Sequence, residues 1–141
     1  MTLPRASRTE TKALDALCRE IVFLRDRHRC QRCRSTTRLQ WCHVHTRRIR
    51  SLRWVLVNSL LLCAGCHLHW HHHPLEASRW FLENFPERAE TLAYLRQEKQ
   101  KVDLELTRLY LEAERDRIAG STSTPAKRKR RRAATSSRVR A

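Results

Sequence analysis

Four cysteines occur as two closely spaced pairs. Cys30 and Cys33 form one Cys-x2-Cys pair, and Cys63 and Cys66 form a second pair after 29 intervening residues. Two thiolates at this spacing can meet one ion from a tight turn, and two such turns complete a tetrahedral zinc site. Because four sulfur ligands leave no open coordination position, we expect a structural Zn²⁺ that stabilises the fold and does not catalyse.

A histidine-rich stretch follows the second cysteine pair. His67 and His71 lie four residues apart, so on a helix their imidazoles share one face and can bind one divalent ion. His69 and His73 have the same spacing on another face, and His72 lies between them. From these residues alone two interpretations stay open, namely a second metal site or a run that binds metals opportunistically or touches phosphate.

Residues upstream extend this pattern. His43 lies on a predicted strand, Asn58 precedes a second predicted strand, and His67 begins a helix. The order of these three residues resembles the HNH endonuclease family, in which Cys-x2-Cys pairs often flank the hairpin. The likeness covers about residues 30–73, and the segment "NSLLLCAGCH" carries its Asn-x8-His spacing. The resemblance implies a ββα-metal fold, in which a β-hairpin and a helix hold one divalent cation.

The resemblance also implies an activity, namely hydrolysis of DNA phosphodiester bonds. In that scheme His43 is the general base, Asn58 holds the loop that orients it, and His67 and His71 bind the catalytic metal. The residue before the base usually supplies another ligand, and here it is Cys42. A thiolate suits zinc better than magnesium, so Cys42 is either a soft ligand or a packed strand residue. The identity of the ion stays open among Mg²⁺, Mn²⁺, Zn²⁺ and Ni²⁺.

A basic loop, "TRRIRSLRW", lies between the two predicted strands. Arginines bind phosphate through paired N–H groups, so we expect this loop to contact the DNA backbone next to the proposed site. A solvated basic loop is the alternative. The candidate nucleic-acid-binding residues are Arg47, Arg48, Arg50 and Arg53.

Helical patterns flank this central region, so the predicted fold class is α+β. A Ser-x-x-Glu capping box at Ser7 and helical apolar spacing predict a first helix over residues 9–26. Residues 74–119 form a helical extension that ends in one long amphipathic helix over residues 87–118, which Gly120 ends. Its apolar stripe packs either on the first helix or on a second chain as a homodimer. The chain also bears a weaker likeness to phage Holliday-junction resolvases of the endonuclease VII type. Those proteins dimerise through long helices, so this likeness favours the homodimer.

The charge of the chain points to a polyanionic partner. Lys and Arg outnumber Asp and Glu by 30 to 14, which gives a formal net charge of +16, and DNA is the first candidate. We expect a flexible N-terminus over residues 1–8, one nuclease domain over residues 9–119 and a disordered basic tail over residues 120–141. No apolar run is long enough to span a membrane. We therefore expect a cytoplasmic protein of a bacterial or phage-infected cell, with a non-catalytic zinc-binding DNA or RNA adaptor as the alternative function.

Overall fold

The computed structural model describes residues 5–122. In this part of the chain, two antiparallel strands and six α-helices form a mixed α+β fold, which confirms the predicted fold class. In chain order the elements are α1 (Arg8–Arg25), β1 (Leu39–His43), α2 (Arg50–Arg53), β2 (Ser59–Cys63), α3 (Ala64–His72), α4 (Pro74–Asn84), α5 (Pro86–Glu98) and α6 (Leu104–Thr122). None of the helices among the described residues is apolar over enough length to cross a membrane.

The hairpin of β1 and β2 lies between two groups of helices. Its register pairs Leu39 with Cys63 and His43 with Ser59. β2 is buried on both faces, since Leu60 and Leu62 pack among side chains of α3, α4 and α5 while Leu61 packs among those of α1 and α6. This explains why β2 is a continuous apolar run and not an alternating one.

The start of α1 follows the predicted capping box. The Ser7 hydroxyl accepts a hydrogen bond from the Glu10 backbone N–H at 3.1 Å, and the Glu10 carboxylate accepts one from the Ser7 N–H at 2.8 Å. These reciprocal bonds satisfy two N–H groups that have no partner inside the helix. The helix therefore begins at Arg8, one residue before the predicted start, and residue 8 does not belong to a flexible segment.

The single long helix predicted over residues 87–118 is wrong, because the chain breaks between α5 and α6. Lys99 adopts a left-handed conformation with a φ of 45°, which ends α5 at Glu98. The Asp103 carboxylate then accepts a hydrogen bond from the Leu106 N–H at 3.0 Å and caps the first turn of α6. Two separate helices therefore occupy this region.

α6 packs against α1 of the same chain, which is one of the two arrangements that the sequence left open. Leu111 is fully buried there beside Leu14, Cys18 and Ile21. The prediction that Gly120 ends the helix is wrong, since α6 continues to Thr122. The remainder of the predicted basic tail, residues 123–141, and residues 1–4 of the predicted flexible N-terminus lie outside the described residues.

Two partly buried arginines fix the backbone that enters β2. The Arg25 guanidinium donates a hydrogen bond to the Ser59 carbonyl at 2.7 Å, and Arg88 donates to the carbonyls of Val57 and Ser59. Burial lowers the pKa of Arg88 to about 10, so the side chain stays charged at neutral pH. The turn around Asn58 is thereby held from both α1 and α5.

Candidate functional site

The two cysteine pairs meet in one cluster, as their spacing predicts. Each pair closes a tight turn in which a backbone N–H points at the first sulfur, from Cys33 to Cys30 and from Cys66 to Cys63, both at 3.5 Å. The four Sγ atoms lie within 4.8 Å of one another, and those of Cys33 and Cys63 are 3.6 Å apart. Zinc–sulfur bonds in a tetrahedron place sulfurs about 3.8 Å apart. The four sulfurs could therefore hold a metal ion such as zinc.

The electrostatics of this cluster favour a cation. Burial opposes ionisation of Cys30, but several backbone N–H groups, that of Cys33 first, lower the pKa of its thiol to about 7. Burial raises the pKa of Cys66, and the neighbouring cysteine sulfurs raise it further. Four sulfurs this close cannot all ionise without a cation to offset their repulsion, and a divalent ion supplies that charge.

Two histidines of α3 face each other in a second candidate metal site. The Nε2 atoms of His67 and His71 are 3.1 Å apart, and two imidazoles that share a tetrahedral ion have nitrogens about 3.3 Å apart. The Gln40 side-chain oxygen lies 2.7 Å from His67 Nδ1. Because that oxygen only accepts, Nδ1 carries the proton and the Nε2 lone pair of His67 points toward His71. Burial and the proximity of His71 lower the pKa of His67, which favours the neutral form that binds metals.

His43 is held by one ring nitrogen and leaves the other available. Its Nε2 lies 3.2 Å from the Arg53 carbonyl oxygen, and a carbonyl accepts only, so Nε2 carries the proton and Nδ1 keeps a lone pair. The ring packs against Trp41 with centroids 4.3 Å apart. Burial lowers the pKa of His43 below 6.5, although the Arg53 carbonyl and the Asp15 carboxylate oppose this shift. The imidazole is therefore neutral at neutral pH.

Asn58 is fully buried and fastens the loop that follows His43. Its Oδ1 accepts a hydrogen bond from the His45 N–H at 2.8 Å, and its Nδ2 donates to the carbonyls of His45 at 3.1 Å and Leu52 at 2.9 Å. Asparagine offers both an acceptor and two donors, so it can satisfy all three backbone groups at once. This side chain therefore joins the end of β1 to α2, which carries the carbonyl partner of His43.

Cys42 does not reach the histidine pair. Its side chain is fully buried in the cluster that includes Leu60 and Trp70, and its thiol donates to the His43 carbonyl at 3.7 Å. Burial raises the pKa of this thiol to about 12, so it stays protonated and is a poor ligand. Of the two roles that the sequence left open, this burial favours that of a packed strand residue over that of a metal ligand.

A cleft of about 570 Å³ is lined by the three histidines predicted to form the active site. Its lining includes His43 at the end of β1, His67 and His71 on α3, and Arg47 from the loop. Burial is the main cause that lowers the pKa of His43, and the charge of the exposed Arg47 side chain in the same cleft lowers it further.

The four loop arginines do not share one surface. Arg47 lines the histidine cleft and Arg48 is exposed beside it in sequence. Arg50 lines a different groove, between α2 and α6. Arg53 makes a paired hydrogen bond with the Asp15 carboxylate, at 2.9 Å and 2.5 Å. The Arg53 guanidinium is already bound to Asp15, which argues against the predicted DNA contact at this residue, and Arg50 does not lie in the cleft.

Sequence reasoning missed two residues that position the histidines. Asp15 of α1 binds both Arg53 and the Trp54 indole N–H, at 2.9 Å for the latter, and so fixes the backbone that holds His43. No local pattern indicates this contact, because Asp15 and Arg53 are 38 residues apart. Gln40 could have been found, since strand alternation places it on the same face as Cys42, the position expected to point at the metal.

Comparison with known proteins gives no match to a family model, to a curated protein or to a solved structure. The geometry of the cysteine cluster and of the histidine cleft therefore carries the functional argument.

Proposed function

We propose that this protein is a metal-dependent endonuclease of the HNH type that hydrolyses DNA phosphodiester bonds. The observation that carries the proposal is the histidine cleft, in which an imidazole with an available lone pair and a pair of facing imidazoles line one cavity. A zinc-binding adaptor needs the cysteine cluster but has no use for this combination.

The role of His43 follows from its hydrogen bonding. With its proton on Nε2 and donated to the Arg53 carbonyl, the ring can accept a proton from water only at Nδ1. A general base works best when its pKa lies near or just below the working pH, and burial keeps His43 neutral. Asn58 and the Asp15–Arg53 pair prevent the ring from turning away, because they fix the backbone on both sides of it.

The paired imidazoles of His67 and His71 suit a divalent transition metal. Their spacing fits two nitrogen ligands of one ion, and Gln40 holds His67 in the tautomer that a ligand needs. A bound ion would supply a Lewis acid that stabilises charge at the phosphate and on the leaving oxygen. Because Cys42 is buried in the core and no carboxylate lines the cleft, an imidazole-preferring ion such as Zn²⁺ or Ni²⁺ fits better than Mg²⁺. Arg47 adds a fixed positive charge at the same cavity.

The test compares cleavage of supercoiled plasmid by wild type and by His43→Ala, using the full chain after its metal content per chain has been measured. We expect His43→Ala to lower the turnover rate by about 10²–10⁴-fold, the usual contribution of a general base, with DNA binding nearly unchanged. His28→Ala removes an imidazole outside the cleft and is the matched control. Equal loss of binding and cleavage in a folded His43→Ala protein would contradict a base role.

The pH dependence of kcat/KM gives a second measurement on wild type. His43 accepts a proton only when it is deprotonated, so the rate should rise with pH and reach its plateau above the His43 pKa. Because burial lowers that pKa, we expect the midpoint of the rise below 6.5. One metal per chain and no cleavage of plasmid or branched DNA would favour the adaptor instead, and cleavage confined to four-way junctions would indicate a structure-selective resolvase.

A further inference from the structure

A second basic region surrounds the first cysteine pair. Residues 27–38, "RHRCQRCRSTTR", contain five arginines and no acidic residue. One of them, Arg32, is bound to Glu76 at 3.2 Å and packs over Trp80. The other four are exposed and are called the knuckle arginines here, namely Arg27, Arg29, Arg34 and Arg38.

The knuckle arginines lack carboxylate partners within the described residues. The nearest acid in sequence, Asp26, already receives hydrogen bonds from the Arg25 guanidinium and the Leu61 N–H. Glu76 is shared between Arg32 and His69. Four guanidinium groups therefore present uncompensated charge on one short segment, which is how a phosphate-binding surface is built.

The backbone conformation at three of these positions indicates that their arginine side chains have a functional role. Arg27, Arg34 and Arg38 have φ values of 54°, 69° and 52°, in the left-handed region where glycine or asparagine fits with less strain. Backbone preference therefore does not explain arginine at these positions. Non-glycine residues in this conformation tend to cluster at functional sites.

The cysteine cluster makes this segment rigid. The Arg34 N–H donates to the Cys30 carbonyl at 2.9 Å, and the Ala64 N–H of the second cysteine turn donates to the Arg38 carbonyl at 2.9 Å. The backbone of both arginines is thus hydrogen-bonded to the two turns that carry the cysteine cluster. Less freedom is lost when such a side chain binds its ligand.

We propose that the knuckle arginines form a second DNA-binding surface, which binds backbone phosphates at a distance from His43, the proposed general base. Arg38 directly precedes β1 and His43 ends it, so five steps of about 3.3 Å along the strand place their Cα atoms about 17 Å apart. At 3.4 Å per base pair this corresponds to roughly five base pairs of duplex. The identity of the ligand as DNA rests on the proposed function.

The test is the salt dependence of binding to a fluorescent mixed-sequence 30-base-pair duplex, using the full zinc-loaded chain without added catalytic metal. Each lost phosphate contact lowers the magnitude of the negative slope of log K against log salt by about 0.9, so Arg34→Gln with Arg38→Gln should lower that magnitude by about 1.8. The matched control is Arg115→Gln with Arg117→Gln, which removes the same charge from α6, where both side chains contact acids. Zinc content equal to wild type excludes collapse of the cysteine cluster.

The outcomes separate this inference from the proposed function. A slope of smaller magnitude only in the Arg34 and Arg38 variant, with unchanged turnover at saturating DNA, supports phosphate binding by the knuckle arginines at a distance from His43. Equal slopes in that variant and the α6 control overturn the inference even if plasmid is cleaved. Absence of cleavage by wild type overturns the nuclease proposal, while the slope comparison still decides whether these arginines bind phosphate.

Discussion

Gln40 offers a sharp test of the second metal site, because among the described residues its side chain hydrogen-bonds to His67 and to no other side chain of the cleft. Its side-chain oxygen fixes the His67 Nδ1 proton at 2.7 Å and so keeps the Nε2 lone pair toward His71. In Gln40→Leu this acceptor is lost, and His67 divides between two tautomers of which one cannot bind metal at Nε2. In Gln40→Glu the acceptor is retained and gains a negative charge.

The expected magnitude follows from the exposure of Gln40. Loss of a partner behind a metal-binding histidine costs about 10–100-fold in metal affinity. Because Gln40 is exposed, water can replace part of the contact, so we expect about a tenfold loss for Gln40→Leu, or about 1.4 kcal/mol. Gln40→Glu should bind as tightly as wild type or more tightly, since a charged acceptor makes the imidazole more basic.

Calorimetric titration of Ni²⁺ into protein that already holds one equivalent of zinc measures this affinity, since nickel suits imidazole ligands. Gln97→Leu on α5 makes the same chemical change at another exposed position and should leave the affinity unchanged. Wild-type affinity in Gln40→Leu, or an equal loss in Gln40→Glu, would refute the positioning role.

Two further predictions concern stability. Cys63→Ser should lose one zinc per chain and unfold the domain, since loss of a ligand removes metal-binding energy from folding. Cys18 lies outside the cluster, so Cys18→Ala should keep its zinc. Metal analysis with thermal melting checks this, and an unchanged melting curve for Cys63→Ser would rule out a structural ion. Asn58→Ala removes three hydrogen bonds from a fully buried side chain, so urea unfolding should show a loss of about 3 kcal/mol at about 1 kcal/mol per bond. Asn84→Ala removes one exposed bond and should cost under about 0.5 kcal/mol; comparable losses in both would be inconsistent with the loop-fastening role.

The sequence predicted the parts of the site whose geometry is local. Two Cys-x2-Cys turns and the four-residue spacing of His67 and His71 bring atoms together within one turn of chain, so spacing alone was sufficient. The hairpin was predictable too, because β2 is a short apolar run after the buried Asn58. The bounds of α1 differ from the predicted helix by one residue at each end.

What the sequence could not supply depends on contacts between distant elements. Arg53 looked like its basic neighbours, and only the packing of α1 brings Asp15 to it. The environment of Cys42 likewise depends on which strand face meets α3, α4 and α5. The break between α5 and α6 was partly visible, because Lys99 interrupts the apolar spacing at the residue that turns left-handed.

Cys63 connects the two candidate metal sites. It is the last residue of β2, one of the four clustered sulfurs, and the N-cap of α3, where its Sγ accepts the Cys66 N–H. The helix that carries His67 and His71 therefore begins at the cysteine cluster. An ion that orders this first turn makes the two imidazoles ready to bind, and thermodynamic reciprocity then requires an ion at the histidines to tighten the first by the same factor. Binding of ions at the two sites would thus be cooperative. Zinc bound at the cysteines would raise the metal affinity of the histidine pair although it does not contact the cleft.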